Sequence, residues 1–123
     1  ETRDFTYVLD LVQGLIKAGF YEEAIGKAFN LASGRETKIK DMIAMVNHST
    51  GNSKPITQFP PRKWDTKKRL LASIELAGKL IDYNPIISFD DGLSENFKWF
   101  SNNWAKVQLS ADFPVGMSSA VRK

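Results

Sequence analysis

Two arginines in this sequence are placed so that they could bind an anion. Arg3 lies just before residues 5–8, a run of aromatic and β-branched residues that predicts a short strand. Ligands often gather at such an edge of a sheet. Arg62 directly follows Pro60 and Pro61, which restrict the local backbone. A guanidinium on a stiff segment can donate two hydrogen bonds to phosphate oxygens, so both arginines are candidate phosphate ligands.

Asp65 lies three residues after Arg62, in the most basic part of the chain. Residues 54–69 hold six basic residues and one acid, whereas the formal net charge of the whole chain is +3. An acid in such a segment is either a salt-bridge partner of a neighbouring base or an acceptor for the hydroxyl groups of a ligand. The segment as a whole could bind phosphate, nucleic acid or an acidic partner, or could be a solvated basic loop.

Other kinds of chemistry are excluded by what the sequence lacks. The absence of cysteine excludes disulfides, thiolate metal sites and cysteine nucleophiles. The eight glycines form no Gly-x-Gly-x-x-Gly and no phosphate loop of the nucleotide-hydrolase type. The single histidine, His48, follows a helical pattern, where a capping or surface role is expected. The adjacent acids Asp90 and Asp91 stand at a helix start and are interpreted as capping residues.

The residues that could do chemistry must be positioned by short strands alternating with helices. This alternation predicts a small mixed α/β domain of about three strands and four to five helices. The predicted strands are residues 5–8, 27–32 and 56–59. The predicted helices begin near Leu9, after a Thr37 cap, after a Ser73 cap, and at the capping-box pair Ser88 and Asp91.

The length and composition indicate one globular domain. The chain has 123 residues, of which 42% are hydrophobic and 25% charged. We expect a domain over residues 1–106 and a C-terminal tail over residues 107–123. No apolar run approaches the roughly 18 residues of a membrane span, and the cysteine-free composition suits a cytoplasmic protein. Strand-like sequence at the start, without an initial Met, suggests a piece of a longer protein.

Several short motifs, taken in order, resemble a known family. They are Arg3-Asp4-Phe5-Thr6-Tyr7-Val8-x-Asp10, Phe29-Asn30-Leu31-Ala32-Ser33-Gly34, Pro61-Arg62-x-x-Asp65, Ser73-Ile74-Glu75-Leu76-Ala77, and the later pairs Gly92-Leu93 and Trp99-Phe100. Together they resemble the C-terminal, substrate-binding part of the extended short-chain dehydrogenase/reductases. Specifically, they resemble the NAD-dependent nucleotide-sugar epimerases and dehydratases of the UDP-glucose 4-epimerase type. The resemblance covers about residues 3–104.

The resemblance implies a role for each candidate site residue. Arg3 and Arg62 match arginines that hold the diphosphate of a nucleotide-diphosphate sugar. Asp65 matches an acid near the nucleotide ribose. Asn30 and Gly34 match a strand end and a turn that line the substrate cleft. These roles agree with the chemistry of the residues, because two arginines and an acid suit a diphosphate beside a diol.

The resemblance also implies what this chain does not supply. It has neither the dinucleotide fingerprint nor the Tyr-x-x-x-Lys catalytic pair of the family, so no catalytic residue and no metal site are assigned. NAD and the oxidation and reduction of the sugar C4 are then expected in an N-terminal NAD-binding domain of the same protein. The isolated chain is expected to be inactive and to expose apolar surface. The parent protein is a candidate homodimer.

One turn departs from the family pattern. Lys63 and Trp64 fill the place where the family has a glycine between the arginine and the acid. Trp64 either covers the nucleotide or packs against the protein.

Two other functions remain open from the sequence. The basic segment 54–69, with Phe59 and Trp64 as stacking groups, would suit a non-enzymatic nucleic-acid-binding module. Steeply salt-dependent binding of single-stranded DNA would favour that function over nucleotide-sugar binding. A protein-interaction domain that docks through the aromatic helix 92–104 is the third hypothesis.

Overall fold

A computed structural model describes residues 1–60 and 66–110 of the chain. In chain order the elements are strand β1 (Thr2–Arg3), helix α1 (Val8–Phe20), a 3₁₀ turn (Glu22–Ala24), strand β2 (Thr37–Lys38), and helices α2 (Ile39–Thr50), α3 (Glu75–Ile81) and α4 (Phe89–Ser110). These helices and the strand pair confirm the mixed α/β class. The strands are very short, so most of the described chain is helix and loop.

Strand β1 is the meeting point of three distant segments. It pairs antiparallel with β2 on one side. On the other side, Thr2 forms a parallel bridge with Arg69. There the Thr2 amide donates to the Lys68 carbonyl at 2.9 Å, and the Leu70 amide donates to the Thr2 carbonyl at 3.3 Å. The segment that follows the basic stretch is therefore fastened directly alongside β1.

A charged side-chain cluster reinforces this small sheet. Arg69 donates from Nε and Nη2 to the Glu36 carboxylate at 2.8 and 2.7 Å, and the Thr2 hydroxyl donates to the same carboxylate at 2.7 Å. The hydrogen bonds from Arg69, and then the one from Thr2, lower the pKa of Glu36 to about 2. Because Glu36 immediately precedes β2, this cluster ties all three segments of the sheet together.

The predicted strands are wrong in position. Residues 27–32 and 56–59 adopt no strand, and residues 5–8 lead into α1, which begins at Val8. A run of four aromatic or β-branched residues favours extended backbone, but only a partner segment with matching hydrogen bonds makes a strand. Phe5 instead packs against Phe89, with ring centroids 5.1 Å apart.

The four predicted helices are confirmed, and two of their predicted caps are wrong. Thr37 belongs to β2, and Lys38 is the N-cap of α2. Ile74, one residue after Ser73, is the N-cap of α3. Thr37 pairs with Arg3 in the two-stranded sheet, and the Ser73 carbonyl accepts a hydrogen bond from Asn30. Both residues are thus bonded to other segments of the chain and lie before the helix start.

The predicted start of the last helix is confirmed in detail. Ser88 Oγ accepts a hydrogen bond from the Asp91 amide at 3.1 Å and donates to the Asp91 carboxylate at 2.6 Å. Helix α4 continues to Ser110, beyond the boundary expected at residue 106. His48 lies in the last turn of α2. The rest of the predicted tail, residues 111–123, lies outside the described residues.

The small core lies between α1 and α3. Ala77, Ile81 and Tyr83 are buried there. The Tyr83 hydroxyl donates to the Ala32 carbonyl at 3.1 Å. Burial, with the negative charges of nearby carboxylates, raises the pKa of Tyr83. The neutral phenol therefore serves as a fixed hydrogen-bond donor in the core.

Helix α1 turns its apolar stripe outward. Val8, Leu9, Val12, Leu15, Ile16 and Phe20 are each between 41% and 84% exposed. In an ordinary amphipathic helix this stripe would face the core, whereas here the buried positions are Asp10 and Gly14. The structure thus exposes apolar surface, as expected for this chain in isolation. Across residues 1–60 and 66–110, the helices are too short or too polar to cross a membrane.

The contact at Gly14 gives a direct test of the core. A Cβ at this position would lie 2.7 Å from Leu31 Cδ2 and 2.8 Å from Tyr83 Cε2. We therefore expect Gly14→Ala to destabilise the chain by about 1–3 kcal/mol in urea unfolding. Gly19→Ala is the matched control, because its Cβ meets no atom within 4 Å, and it should stabilise the same helix by up to about 1 kcal/mol. Equal stabilities of the two variants would contradict this packing.

The cluster around Glu36 gives a pH test of the sheet. The pKa of Glu36 is lowered from 4.5 to about 2 in the folded chain, so its contribution to stability is complete above pH 4.5 and is lost as the pH falls towards 2. Glu36→Gln should therefore lower the melting temperature at neutral pH, and the difference from the wild type should vanish near pH 2. Glu23→Gln, a change at an exposed glutamate of the 3₁₀ turn, is the control. A difference in melting temperature between the wild type and Glu36→Gln that stays constant from pH 7 to pH 2 would show that the ion pair is not the cause of the lost stability.

Candidate functional site

The carboxylate of Asp4 joins three segments of the chain beside Arg3. Its Oδ1 accepts hydrogen bonds from the Ser33 amide at 3.0 Å and the Ser33 hydroxyl at 2.5 Å. Its Oδ2 accepts from the Gly34 amide at 3.1 Å and the Ala72 amide at 3.4 Å. An ionised carboxylate accepts only and has two oxygens, so it can satisfy all four donors. The start of the chain, the turn at residues 33–34 and the segment before α3 are thus held together.

The turn at residues 33–34 depends on its local sequence. Gly34 has φ +67°, a left-handed conformation that glycine adopts without steric cost. A Cβ at Gly34 would also lie 3.1 Å from Ile74 Cδ1. Ser33 is buried and supplies two of the donors to Asp4. A Ser-Gly pair is therefore suited both to the conformation of the turn and to its attachment to Asp4.

Asn30 is attached to the same network. Its side-chain amide donates a hydrogen bond to the Ser73 carbonyl at 3.2 Å. Ser73 directly follows Ala72, whose amide donates to Asp4. The structure therefore brings three of the predicted site residues, Arg3, Asn30 and Gly34, onto segments that one hydrogen-bond network connects. Their predicted contact with a substrate stays a prediction.

Arg3 is held along β1 by local partners. Its Nη1 donates to the Thr2 carbonyl at 2.7 Å, and its Nη2 donates to the Glu1 carboxylate at 3.2 Å. The Arg3 side chain is partly exposed, and so is that of Glu1. An exposed ion pair of this kind is weak and exchanges readily for a better acceptor.

Two predicted site residues, Arg62 and Asp65, lie outside the described residues, as do Lys63 and Trp64. The chain that follows them is described and runs alongside β1 at residues 68–70. The exit of the basic segment is therefore next to Arg3.

A second carboxylate, which is buried, was not singled out as a site residue from the sequence. Asp10 is 4% exposed and accepts hydrogen bonds from the Ile86 amide at 3.2 Å and the Ile87 amide at 3.0 Å. It fastens the loop before α4 to α1. The sequence gives no signal of this burial, because an acid on an amphipathic helix is ordinarily expected on the solvent face.

Two cavities among the described residues lie elsewhere. One, of about 300 Å³, is lined by residues 5–8 and by the start of α4. The other, of about 320 Å³, is mostly apolar and lies between α2 and α4. Neither is lined by Arg3, Asn30 or Gly34. The side chains of residues 1–60 and 66–110 offer no group of three histidines or acids that could hold a metal ion.

Comparison with known proteins finds both similar sequences and similar structures. UDP-glucose 4-epimerase GEPI42 of Cyamopsis tetragonoloba is 33% identical in a match that covers 82% of this chain and 29% of that protein. The structure of epimerase Mth375 from Methanothermobacter thermautotrophicus superposes with a TM-score of 0.87 at 44% identity, covering 89% of this chain and 33% of that one. No protein-family model matches the chain.

A third relative was crystallised with ligands. The Bordetella bronchiseptica enzyme WbmF, in complex with NAD⁺ and UDP, superposes with a TM-score of 0.75 at 34% identity, over 89% of this chain and 32% of WbmF. The chain thus spans about a third of the length of the relatives that it matches. These relatives give no support to the nucleic-acid alternative. The resemblance found in the sequence motifs is confirmed: the chain matches the C-terminal part of nucleotide-sugar epimerases of the extended short-chain dehydrogenase/reductase type.

Proposed function

We propose that this chain binds the nucleotide diphosphate of a sugar nucleotide within an NAD-dependent epimerase or dehydratase. Arg3 and Arg62 contact the diphosphate, Asp65 lies near the ribose, and Asn30 and Gly34 line the cleft. The observation that carries this proposal is the convergence at β1. Arg3 lies on the central strand, the turn at residues 33–34 is attached through Asp4, and the chain leaving the basic segment is bound alongside.

Chain length supports a shared ligand for the two arginines. Lys68 is bonded to β1 through its carbonyl, and it follows Arg62 by six positions in the sequence. This short separation in sequence favours one ligand for both arginines. Two guanidiniums at one diphosphate give several charge-assisted hydrogen bonds, which are the strong class of such bonds.

The present partners of Arg3 leave it able to bind a ligand. Its carboxylate partner, Glu1, is exposed, and its other acceptor is a backbone carbonyl of its own strand. A diphosphate offers more charge and more oxygens than this single exposed carboxylate. Exchange of partners therefore costs little and orders the Arg3 side chain towards the ligand.

NAD does not fit the residues of this chain. It has no glycine-rich dinucleotide fingerprint, so we place NAD binding and the redox chemistry in the remaining two-thirds of a parent protein. The exposed stripe of α1 is then the surface that this other part covers, and the isolated chain is inactive. The cysteine-free sequence suits a cytoplasmic parent.

In the parent protein the chain contributes binding energy at a distance from the reacting sugar. Holding the nucleotide end fixes the substrate in the active site and lowers the entropy cost of bringing the sugar to its reaction partners. The residues of this chain orient the substrate, and none of them is assigned a proton-transfer step.

The proposal is tested by measuring UDP affinity calorimetrically in the full-length protein. Arg3→Ala and Arg62→Ala should each weaken UDP binding by about 1.5–3 kcal/mol, the scale of a hydrogen bond to a charged group. Lys68→Ala is the matched control, because it removes one positive charge from the same basic segment at an exposed position. That change should cost no more than about 1 kcal/mol.

Two results would contradict the proposed contacts. Wild-type affinity in Arg62→Ala would remove that arginine from the site. Equal losses in Lys68→Ala and Arg62→Ala would show that only the overall charge of the segment attracts the nucleotide.

A further inference from the structure

We propose that Asp4 is the positioning residue of this site, setting the distance between Arg3 and the cleft-lining turn at residues 33–34. This inference rests on the proposed function above and deepens it. Asp4 does not contact the nucleotide; it acts through the backbone of the residues that do.

The geometry gives Asp4 this role because, among the residues that the structure describes, each donor to its carboxylate comes from another part of the site. Two donors belong to Ser33, one to Gly34 and one to Ala72. Asp4 is also the residue that follows Arg3 in the chain, so anchoring its carboxylate to the turn restrains the backbone position of Arg3. The link through Ala72 leads to Ser73, whose carbonyl accepts from Asn30.

The two oxygens of Asp4 are already occupied by protein donors. Each oxygen accepts two hydrogen bonds, at distances between 2.5 and 3.4 Å. A carboxylate in this state has little capacity left for the hydroxyl groups of a ligand. Its negative charge would also repel a diphosphate if the two were in direct contact. Both features favour an indirect role, in which Asp4 supports Arg3 and the turn without contacting the ligand.

An amide at position 4 cannot replace the carboxylate. Asparagine has one accepting oxygen, and its NH₂ group is a donor. In Asp4→Asn, the NH₂ group faces either the two donors of Ser33 or the amides of Gly34 and Ala72. Donors that face each other without an acceptor are costly when partly buried. The turn or the segment at Ala72 must then move away from Arg3, although the shape of the side chain is unchanged.

Asp10 provides a matched control within the same part of the chain. It is also a carboxylate that accepts backbone amides, those of Ile86 and Ile87, and it is more buried than Asp4. Its partners do not include the turn at residues 33–34 or the segment at Ala72. Asp10→Asn therefore reports what loss of such an anchor does to the fold in general.

The experiment measures UDP affinity in the full-length protein, well below the melting temperature of each variant. Asp4→Asn should raise the Kd for UDP about tenfold or more, because some of the partly buried groups that donate to the carboxylate then lose their acceptor. Ser33→Ala removes only one of the four hydrogen bonds and should raise the Kd by about two- to fivefold. Asp10→Asn should lower the melting temperature and leave the Kd within about twofold of the wild type.

A double-mutant cycle separates positioning from general destabilisation. If Asp4 acts through Arg3, the variant with both Asp4→Asn and Arg3→Ala should bind UDP about as well as Arg3→Ala alone, because the effects of coupled residues do not add. Additive losses in this cycle would overturn the proposal.

The remaining outcomes also decide the question. Wild-type affinity in Asp4→Asn, or an equal loss in Asp10→Asn, would overturn the role of Asp4. If Asp4→Asn does not fold, Ser33→Ala decides, and a wild-type Kd in that variant counts against the proposal. Failure of the wild-type protein to bind UDP would instead refute the proposed function. Binding that is lost in Arg3→Ala but unaffected in Asp4→Asn would refute only the role of Asp4.

Discussion

The carboxylate of Asp4, with four protein donors around it, is the interaction on which the arrangement of this site depends. The strands at the site are two residues long, so their backbone ladder alone is too short to fix three segments. Asp4 adds hydrogen bonds to the turn at residues 33–34 and to Ala72, and the pair of Glu36 and Arg69 adds a charged clamp across the sheet. Side-chain anchors therefore do here what longer strands do in larger sheets.

Helix α1 and the strand before it illustrate a general constraint on loop-rich domains. Partly buried loops leave backbone amides that need acceptors. Asp10 in the first turn of α1 and Asp4 in the segment before it supply those acceptors, so polar contacts attach this part of the chain to the loops of the domain. The apolar stripe of α1 is then free for a different surface. This use of the helix fits a chain that spans about a third of the length of its relatives.

Sequence reasoning predicted the helices better than the strands. The helices and the Ser88 cap followed from apolar periodicity and capping chemistry, which are local signals. The strands did not, because a two-residue strand such as β1 is defined by partners that lie more than 30 residues away in sequence. The anchoring by Asp4 was hidden for the same reason. The pair Arg3 and Asp4 shows two charged side chains in the sequence. Only the folded structure shows which backbone amides donate hydrogen bonds to the Asp4 carboxylate.

We propose that Arg3 and Arg62 converge on one diphosphate while Asp4 holds the backbone segments around Arg3 in place. The most direct measurement is a crystal structure of the full-length protein with bound UDP. We expect both guanidiniums at hydrogen-bond distance, about 3 Å, from diphosphate oxygens, with the Asp4 carboxylate still accepting hydrogen bonds from Ser33, Gly34 and Ala72. Guanidiniums on opposite sides of the molecule, or a diphosphate bound away from β1, would contradict this proposal.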